Sequence, residues 1–312
     1  MNIVFMGTPD FSVPVLDALV NNGHNVVAVV TQTDKPKGRG KEVKFTPVKE
    51  AALKYNIPVL QPVKVRTEEF LDELRGYEPE LIVVVAYGQI LPKALLDMPK
   101  YGCVNVHASL LPRLRGAAPI QWAIIEGDDK TGVTTMMMDV GLDTGDMLEK
   151  EEVIIEANET GGTLHDKLSQ AGARLIITTI EKIENGTIVR TKQDDSLSTY
   201  AKMLDKKLGD IDFTMDAKRI ERLIRGLNPW PSAYTTYNGK LLKIWEATPI
   251  DKECDGDCGE IVEINKDTFL VKTGKGLLEI KVLQPEGKGR MKTADFLRGN
   301  KINIGERLGN KA

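Results

Sequence analysis

Residues 81–85 read Leu-Ile-Val-Val-Val, and residues 103–107 read Cys-Val-Asn-Val-His. The first is a near-continuous β-branched run, the mark of a strand covered on both faces. The second alternates, so Cys103, Asn105 and His107 project to one face and Val104 and Val106 to the other. Working outward, 3–6 and 26–30 are further short apolar runs, with a helical pattern over 11–21 between them and Asp10 as its expected N-cap. This β-α-β order predicts an α/β domain with a Rossmann-like, mostly parallel sheet and helices on both faces. Ligands of such sheets lie at the carboxyl ends of the strands, here the residues just after Met6, Val85 and Val106.

Further along, a helical pattern covers 163–184 and stops at Asn185-Gly186. The charged, weakly periodic stretch that follows reads as a linker with one helical turn, and 216–226 as a short helix. Strand-like segments at 233–237, 241–247, 259–264, 268–273 and 277–283, separated by turn residues, predict a small, OB-like β-barrel. The expected division is an α/β domain over 1–190, a linker over 191–208 and a β-barrel over 209–312; a chain of 312 residues suits two domains. Charge follows the division. Residues 206–312 hold 20 Lys+Arg against 16 Asp+Glu, and the rest hold 22 against 29. A mildly basic β-domain beside an acidic α/β domain is compatible with RNA contact, and ordinary surface variation explains it equally well. Net charge overall is −3, so no general basic character announces nucleic acid. No apolar run reaches the ~20 residues of a membrane span, and the first residues lack the cationic start of a signal peptide. Three cysteines are too few and too odd for a disulfide framework. Together these features point to a cytoplasmic protein with no membrane partner.

Two cofactor readings fail. Gly7-Thr8-Pro9-Asp10-Phe11 stands where a dinucleotide fingerprint would stand, but it lacks the second and third glycines, and Pro9 removes a backbone donor. Gly38-Arg39-Gly40-Lys41 lacks the spacing of a P-loop. Of the three histidines, His24 reads as structural and His165 as a solvated helix residue. His107 ends a strand beside Asn105, and on that position alone a satisfied polar pair and a reactive pair are equal readings. The next segments favour reactivity. An apolar-to-basic loop runs from Ser109 to Pro119, a helix with Gln121 and Trp122 begins near Pro119, and Met138-Asp139-Val140-Gly141-Leu142-Asp143-Thr144-Gly145-Asp146 places acids in a glycine-flexed loop from which Asp143 can reach His107.

An Asn/His/Asp group of this kind suits acyl transfer to an amine, which needs no protein nucleophile. A side-chain amide can donate to the developing oxyanion. The imidazole can donate to it or shuttle the amine's proton, and the carboxylate can fix the imidazole's tautomer. A serine triad is weaker, because no G-x-S-x-G elbow appears. Zinc is weaker still, since the three side chains are a poor ligand set, and Cys254-Asp-Gly-Asp-Cys258 is a lone pair of thiols without a partner pair; no metal is expected.

The same residues resemble a known family. Asn105-Val-His107-Ala-Ser109-Leu-Leu-Pro112-Arg113-Leu-Arg115-Gly116-Ala-Ala-Pro-Ile120, with the 138–146 run, closely resembles the methionyl-tRNA formyltransferases of the folate-dependent formyltransferase family. So do Gly7-Thr-Pro-Asp-Phe11, Ala86-Tyr-Gly-Gln-Ile-Leu-Pro92 and Leu227-Asn-Pro-Trp-Pro231, so that the resemblance covers essentially the whole chain. It implies 10-formyltetrahydrofolate as formyl donor and the α-amino group of initiator methionyl-tRNA as acceptor. It implies catalytic roles for Asn105, His107 and Asp143, with Ser109, Leu110, Leu111 and Pro112 lining the folate site and Gln89, Ile90 and Leu91 near the pterin. The domain over 1–190 would then carry formyl transfer and that over 209–312 would bind tRNA, in a chain expected to be a monomer. One departure is Leu114, where the family usually has an aromatic residue.

The stretch 34–44 carries five cations. Seen alone it reads as a solvated surface loop. Under the resemblance it matches the loop that enters the tRNA acceptor stem, with Lys35, Lys37, Arg39 and Lys41 as its contacts, and arginine suits bidentate contact with phosphate or base edges. Two rivals remain. A formyltransferase for a small amine has little use for this loop or for the extra β-domain, and a non-catalytic RNA- or folate-binding module gains nothing from a positioned acid–base pair.

Overall fold

A computed structural model of the chain describes residues 1–37 and 42–309. It divides into two compact units. Met1–Pro119, Lys130–Ile154 and His165–Ala201 form one, and Ile120–Asp129, Ile155–Leu164 and Lys202–Ala312 the other.

The first unit is built on a seven-stranded sheet: β1 (Asn2–Gly7), β2 (Asn25–Val30), β3 (Val59–Leu60), β4 (Leu81–Val85), β5 (Cys103–His107), β6 (Lys130–Met137) and β7 (Met147–Ile154), in the spatial order β3-β2-β1-β4-β5-β6-β7. Strands β1 to β5 pair in parallel, whereas β6 runs antiparallel to β5 and β7 to β6. The mostly parallel, Rossmann-like sheet expected from the 81–85 and 103–107 runs is therefore present. Between the parallel strands stand α1 (Val13–Asn21), α2 (Pro47–Lys54), α3 (Glu68–Arg75) and α4 (Lys93–Leu96); α5 (Pro119–Glu126) precedes β6, and α6 (Gly161–Glu184) follows β7. The even-numbered side chains of β1, β2 and β4, with Cys103 of β5, pack against Phe70, Leu71 and Leu74 of α3 and Leu95 and Leu96 of α4. Both faces of β4 are sealed, which is why its sequence is apolar without alternation. Thr46 and Thr67 cap α2 and α3 by accepting from Lys49 N and Phe70 N.

The start of α1 differs from expectation. Asp10 caps nothing; it opens a 3₁₀ turn, Asp10–Ser12, and α1 begins at Val13. Pro14 in the first turn already lacks one of the donors a cap would satisfy. Ser12 instead donates its hydroxyl to Val85 O at 2.7 Å, pinning the helix start to the end of β4.

The second unit holds an antiparallel sheet of β8 (Ala233–Tyr237), β9 (Lys240–Ile250), β10 (Ile261–Ile264), β11 (Phe269–Lys272), β12 (Leu277–Pro285) and β13 (Met291–Lys292), in the order β8-β9-β12-β11-β10 with β13 on β12. Asn238 and Gly239, at φ 50° and 73°, turn β8 into β9 with the two left-handed residues a tight hairpin needs. Helices α7 (Ala217–Gly226) and α8 (Thr293–Gly299) give Ile220, Ile224 and Phe296 to the core beneath the sheet. The two edges, β8 and β10, are bridged by the chain's last described residues. Ile261 N donates to Glu306 O at 2.8 Å, Leu308 N to Gly259 O at 2.8 Å, and Gly309 N to Thr236 O at 2.9 Å.

Candidate active site

β5 presents its polar residues as the alternation requires. Val106 lies against α6, where Gly172 leaves the needed room; a Cβ there would stand 2.9 Å from Val106 Cγ1. Cys103 enters the opposite layer, and burial, with the Asp97 charge, pushes its thiol up to about 12. Asn105 and His107 share the Cys103 face and are buried at 9% and 6% exposure. Asn105 stands beside Val84 of β4 and Met136 of β6, and His107 beside Thr134. Among the described residues the Asn105 amide has no hydrogen-bond partner. The residue keeps 9% exposure, so the amide is open to the crevice rather than sealed.

The His107 ring is anchored at one nitrogen and faced by a carboxylate at the other. Nε2 lies 2.9 Å from Leu114 O, and Nδ1 lies 3.8 Å from Asp143 Oδ2. Asp143 Oδ2 also accepts from Gly116 N at 2.9 Å. A carbonyl oxygen only accepts, so Nε2 carries a hydrogen and Nδ1 is the nitrogen that faces the carboxylate. The Leu114 side chain is itself buried at 4% exposure. This position thus acts on the site through its main chain, and the loss of an aromatic ring there leaves that contact in place.

The loop after β5 is pinned to its neighbours. Ser109 Oγ donates to Arg113 O at 2.7 Å, and Thr134 Oγ1 donates to Ser109 O at 2.7 Å while accepting from Leu111 N at 3.1 Å. Lys150 Nζ donates to Leu111 O at 2.6 Å, and burial holds its ammonium below the usual lysine value. The Leu111 side chain is buried in a cluster with Met136 and Met147. Leu110 and Pro112 are half-buried. At the end of β4 the chain turns at Ala86, φ 46°. Tyr87 O accepts from Thr8 Oγ1 at 2.9 Å and from Gln32 Nε2 at 3.2 Å, and burial pushes the Tyr87 phenol up. Gln89 Oε1 accepts from Val65 N at 3.2 Å, Leu91 is buried, and Ile90 is 87% exposed. Val140 and Leu142, in the loop that carries Asp143, are also exposed.

Gln193, Thr199, Lys150 and the Leu114 carbonyl were not expected at the site. Apart from the Leu114 carbonyl, which is local to His107, their contacts join segments far apart in sequence, and nothing in their local patterns marks them. Of the expected RNA contacts, Lys35 and Lys37 fall in a short antiparallel ladder, Lys35–Lys37 with Glu42–Lys44; Arg39 and Lys41 lie outside the described residues. His165 sits between Asp10 and Asp166, with its ring edge-on to Phe11. All three cysteines are free, and among the described residues no group of three or more His, Cys, Asp or Glu side chains is placed to hold a metal ion.

Comparison with known proteins places the chain in a family. The family model for formyl transferase matches residues 1–180, and that for the formyl transferase C-terminal domain matches 203–301. A methionyl-tRNA formyltransferase of Lachnospira eligens is 54% identical, with 99% of this chain and 100% of the relative aligned. One from Agathobacter rectalis is 55% identical over 98% of each. The solved sugar 3N-formyl transferase WlaRD, in the presence of dTDP and 5-N-formyl-THF, shares the fold at a TM-score of 0.68 and 19% identity, over 93% of this chain and 99% of its own.

Proposed function

We infer the function from one premise: the chain belongs to the formyl transferase family, among the methionyl-tRNA formyltransferases that match it from end to end. It is an enzyme that transfers a formyl group from a folate donor to methionyl-tRNA. The observation that carries the site assignment is the pair Asn105 and His107 on one face of β5: the Asn105 side chain has no hydrogen-bond partner among the described residues, and His107 is anchored at Nε2 by Leu114 O with the Asp143 carboxylate facing Nδ1.

The residues around His107 fit a folate donor. Ile90, Leu110 and Pro112 offer apolar side chains, the 109–112 backbone is held in place, and the Asn105 amide is free to meet a carbonyl oxygen. When bound, 10-formyltetrahydrofolate supplies the formyl group. Asn105 Nδ2 would donate a hydrogen bond to the formyl oxygen as it gains charge. His107 Nδ1 would take the proton released as the α-amino nitrogen bonds to the formyl carbon and return it to the folate N10 as the formyl C–N10 bond breaks, and Asp143 would balance the charge on the ring in between. Leu114 O keeps the ring in the orientation that leaves Nδ1 free.

The acceptor is read as the initiator methionyl-tRNA, held at its acceptor stem. Lys35, Lys37, Arg39 and Lys41 supply cations from the 34–44 stretch, and the basic domain over 209–312 supplies the rest. A stretch of this charge suits a phosphate backbone better than a small amine. The chain is proposed to act as a cytoplasmic monomer; among the described residues no helix is long and apolar enough to cross a membrane. His107→Ala tests the reading. Turnover of methionyl-tRNA is expected to fall by roughly 10²–10⁴-fold while tRNA binding, measured by filter retention, is kept. Unchanged turnover would remove His107 from the chemistry.

A further inference from the structure

The two residues that touch the His107 ring nitrogens both have left-handed backbones, Leu114 at φ 58° and Asp143 at φ 54°. Neither is glycine, so each conformation costs free energy and persists only where surrounding contacts enforce it. One segment makes those contacts on both sides. Gln193, at 6% exposure, spends its whole side-chain amide on the two loops. Its Nε2 donates to Asp143 O and to Gly145 O, each at 2.8 Å. Its Oε1 accepts from Arg115 Nε at 3.0 Å and Nη2 at 2.9 Å. Thr199 Oγ1 accepts from Leu114 N at 2.9 Å and Thr199 O from Arg115 N at 2.9 Å, after which Tyr200–Ala201 pairs in parallel with Arg115–Gly116. Gly116 N closes the circuit onto the Asp143 carboxylate.

We propose that Gln193 is a positioning residue for formyl transfer: it clamps the Asp143 loop to the Arg115 loop and so keeps the Asp143 carboxylate against His107. The proposal rests on the roles given above to His107 and Asp143. The side-chain type follows from the contacts. One loop presents carbonyl oxygens and the other a guanidinium, and a primary amide carries two donors and an acceptor in one plane. Glutamate keeps the acceptor and loses both donors; leucine keeps the volume and loses everything polar. Gln193 meets no reacting atom, and its effect passes through Asp143.

The test is a double-mutant cycle read in steady-state kinetics, with melting temperatures to confirm folding. Gln193→Leu is expected to lower kcat by roughly ten- to a hundredfold, with KM for the folate donor and for methionyl-tRNA each within about threefold of wild type. In an Asp143→Asn background the same change is expected to cost less than about threefold, because the carboxylate it aims is gone. Gln193→Glu should resemble Gln193→Leu, and it replaces that variant in the cycle if Gln193→Leu does not fold. An equal loss in both backgrounds, or a loss confined to KM, overturns the proposal. If Asp143→Asn itself keeps wild-type kcat, it is the catalytic reading of Asp143 that fails, and the two failures are distinguishable.

Discussion

At His107 the ring faces two loops, one close in sequence and one distant, and the neighbouring Asn105 amide has no hydrogen-bond partner among the described residues. If that amide serves the formyl oxygen, removing it should strike turnover and spare binding. Asn105→Ala is predicted to lower kcat by about 10²–10³-fold with the donor KM nearly unchanged; single-turnover rates with saturating donor would show it, and a loss smaller than about threefold would contradict it. The sequence exposes Asn105 and His107 because a strand's period of two puts them on one face whatever the surroundings. It exposes Asp143 only as an acid in a flexible loop, since the contact depends on a left-handed turn at a residue other than glycine. Gln193 is invisible there. Its partners lie between 48 and 78 residues away, and its value comes from where the fold brings them.

At the scale of elements, β4 and β5 are legible because burial on both faces leaves a clear apolar signature. β7 is not. As an edge strand it reads Met-Leu-Glu-Lys-Glu-Glu-Val-Ile, with four charged residues in a row, and β3 is only two residues long. β7 is nevertheless tied down, and by a charge. Burial works to raise the Glu149 carboxyl, but hydrogen bonds from Lys182, Thr179 and Thr178 of α6 outweigh it and hold the group below its ordinary 4.5. Both threonine hydroxyls donate to Oε2 at 2.9 Å, and Lys182 pairs with Oε1. A carboxyl lowered by folding stabilises the protein above its unfolded value and loses that contribution as pH falls through the folded one. Glu149→Gln is therefore predicted to cost about 1 kcal/mol at pH 7, with the gap from wild type narrowing as pH falls below 4.5. Urea unfolding at the two ends of that range measures it, and a gap independent of pH would contradict it.

At the scale of the molecule, the two units answer to different amounts of sequence information. The parallel sheet and its ligand-bearing strand ends follow from short apolar runs and their spacing. The antiparallel sheet follows from its turns, but not the way its edges are joined: residues 305–309, Gly-Glu-Arg-Leu-Gly, carry no strand pattern and still bridge β10 to β8. Likewise 191–201, expected to be the start of a linker, folds with the first unit and grips the loops on either side of His107. Function at this scale needs a folate-fed active site and a surface that accepts a charged tRNA. The most direct measurement offers labelled 10-formyltetrahydrofolate to the enzyme with initiator methionyl-tRNA, elongator methionyl-tRNA and free methionine in parallel. The proposed function predicts formylated initiator methionyl-tRNA as the main product, with free methionine left unformylated. Failure to label any methionyl-tRNA, while the donor is bound, would contradict the account.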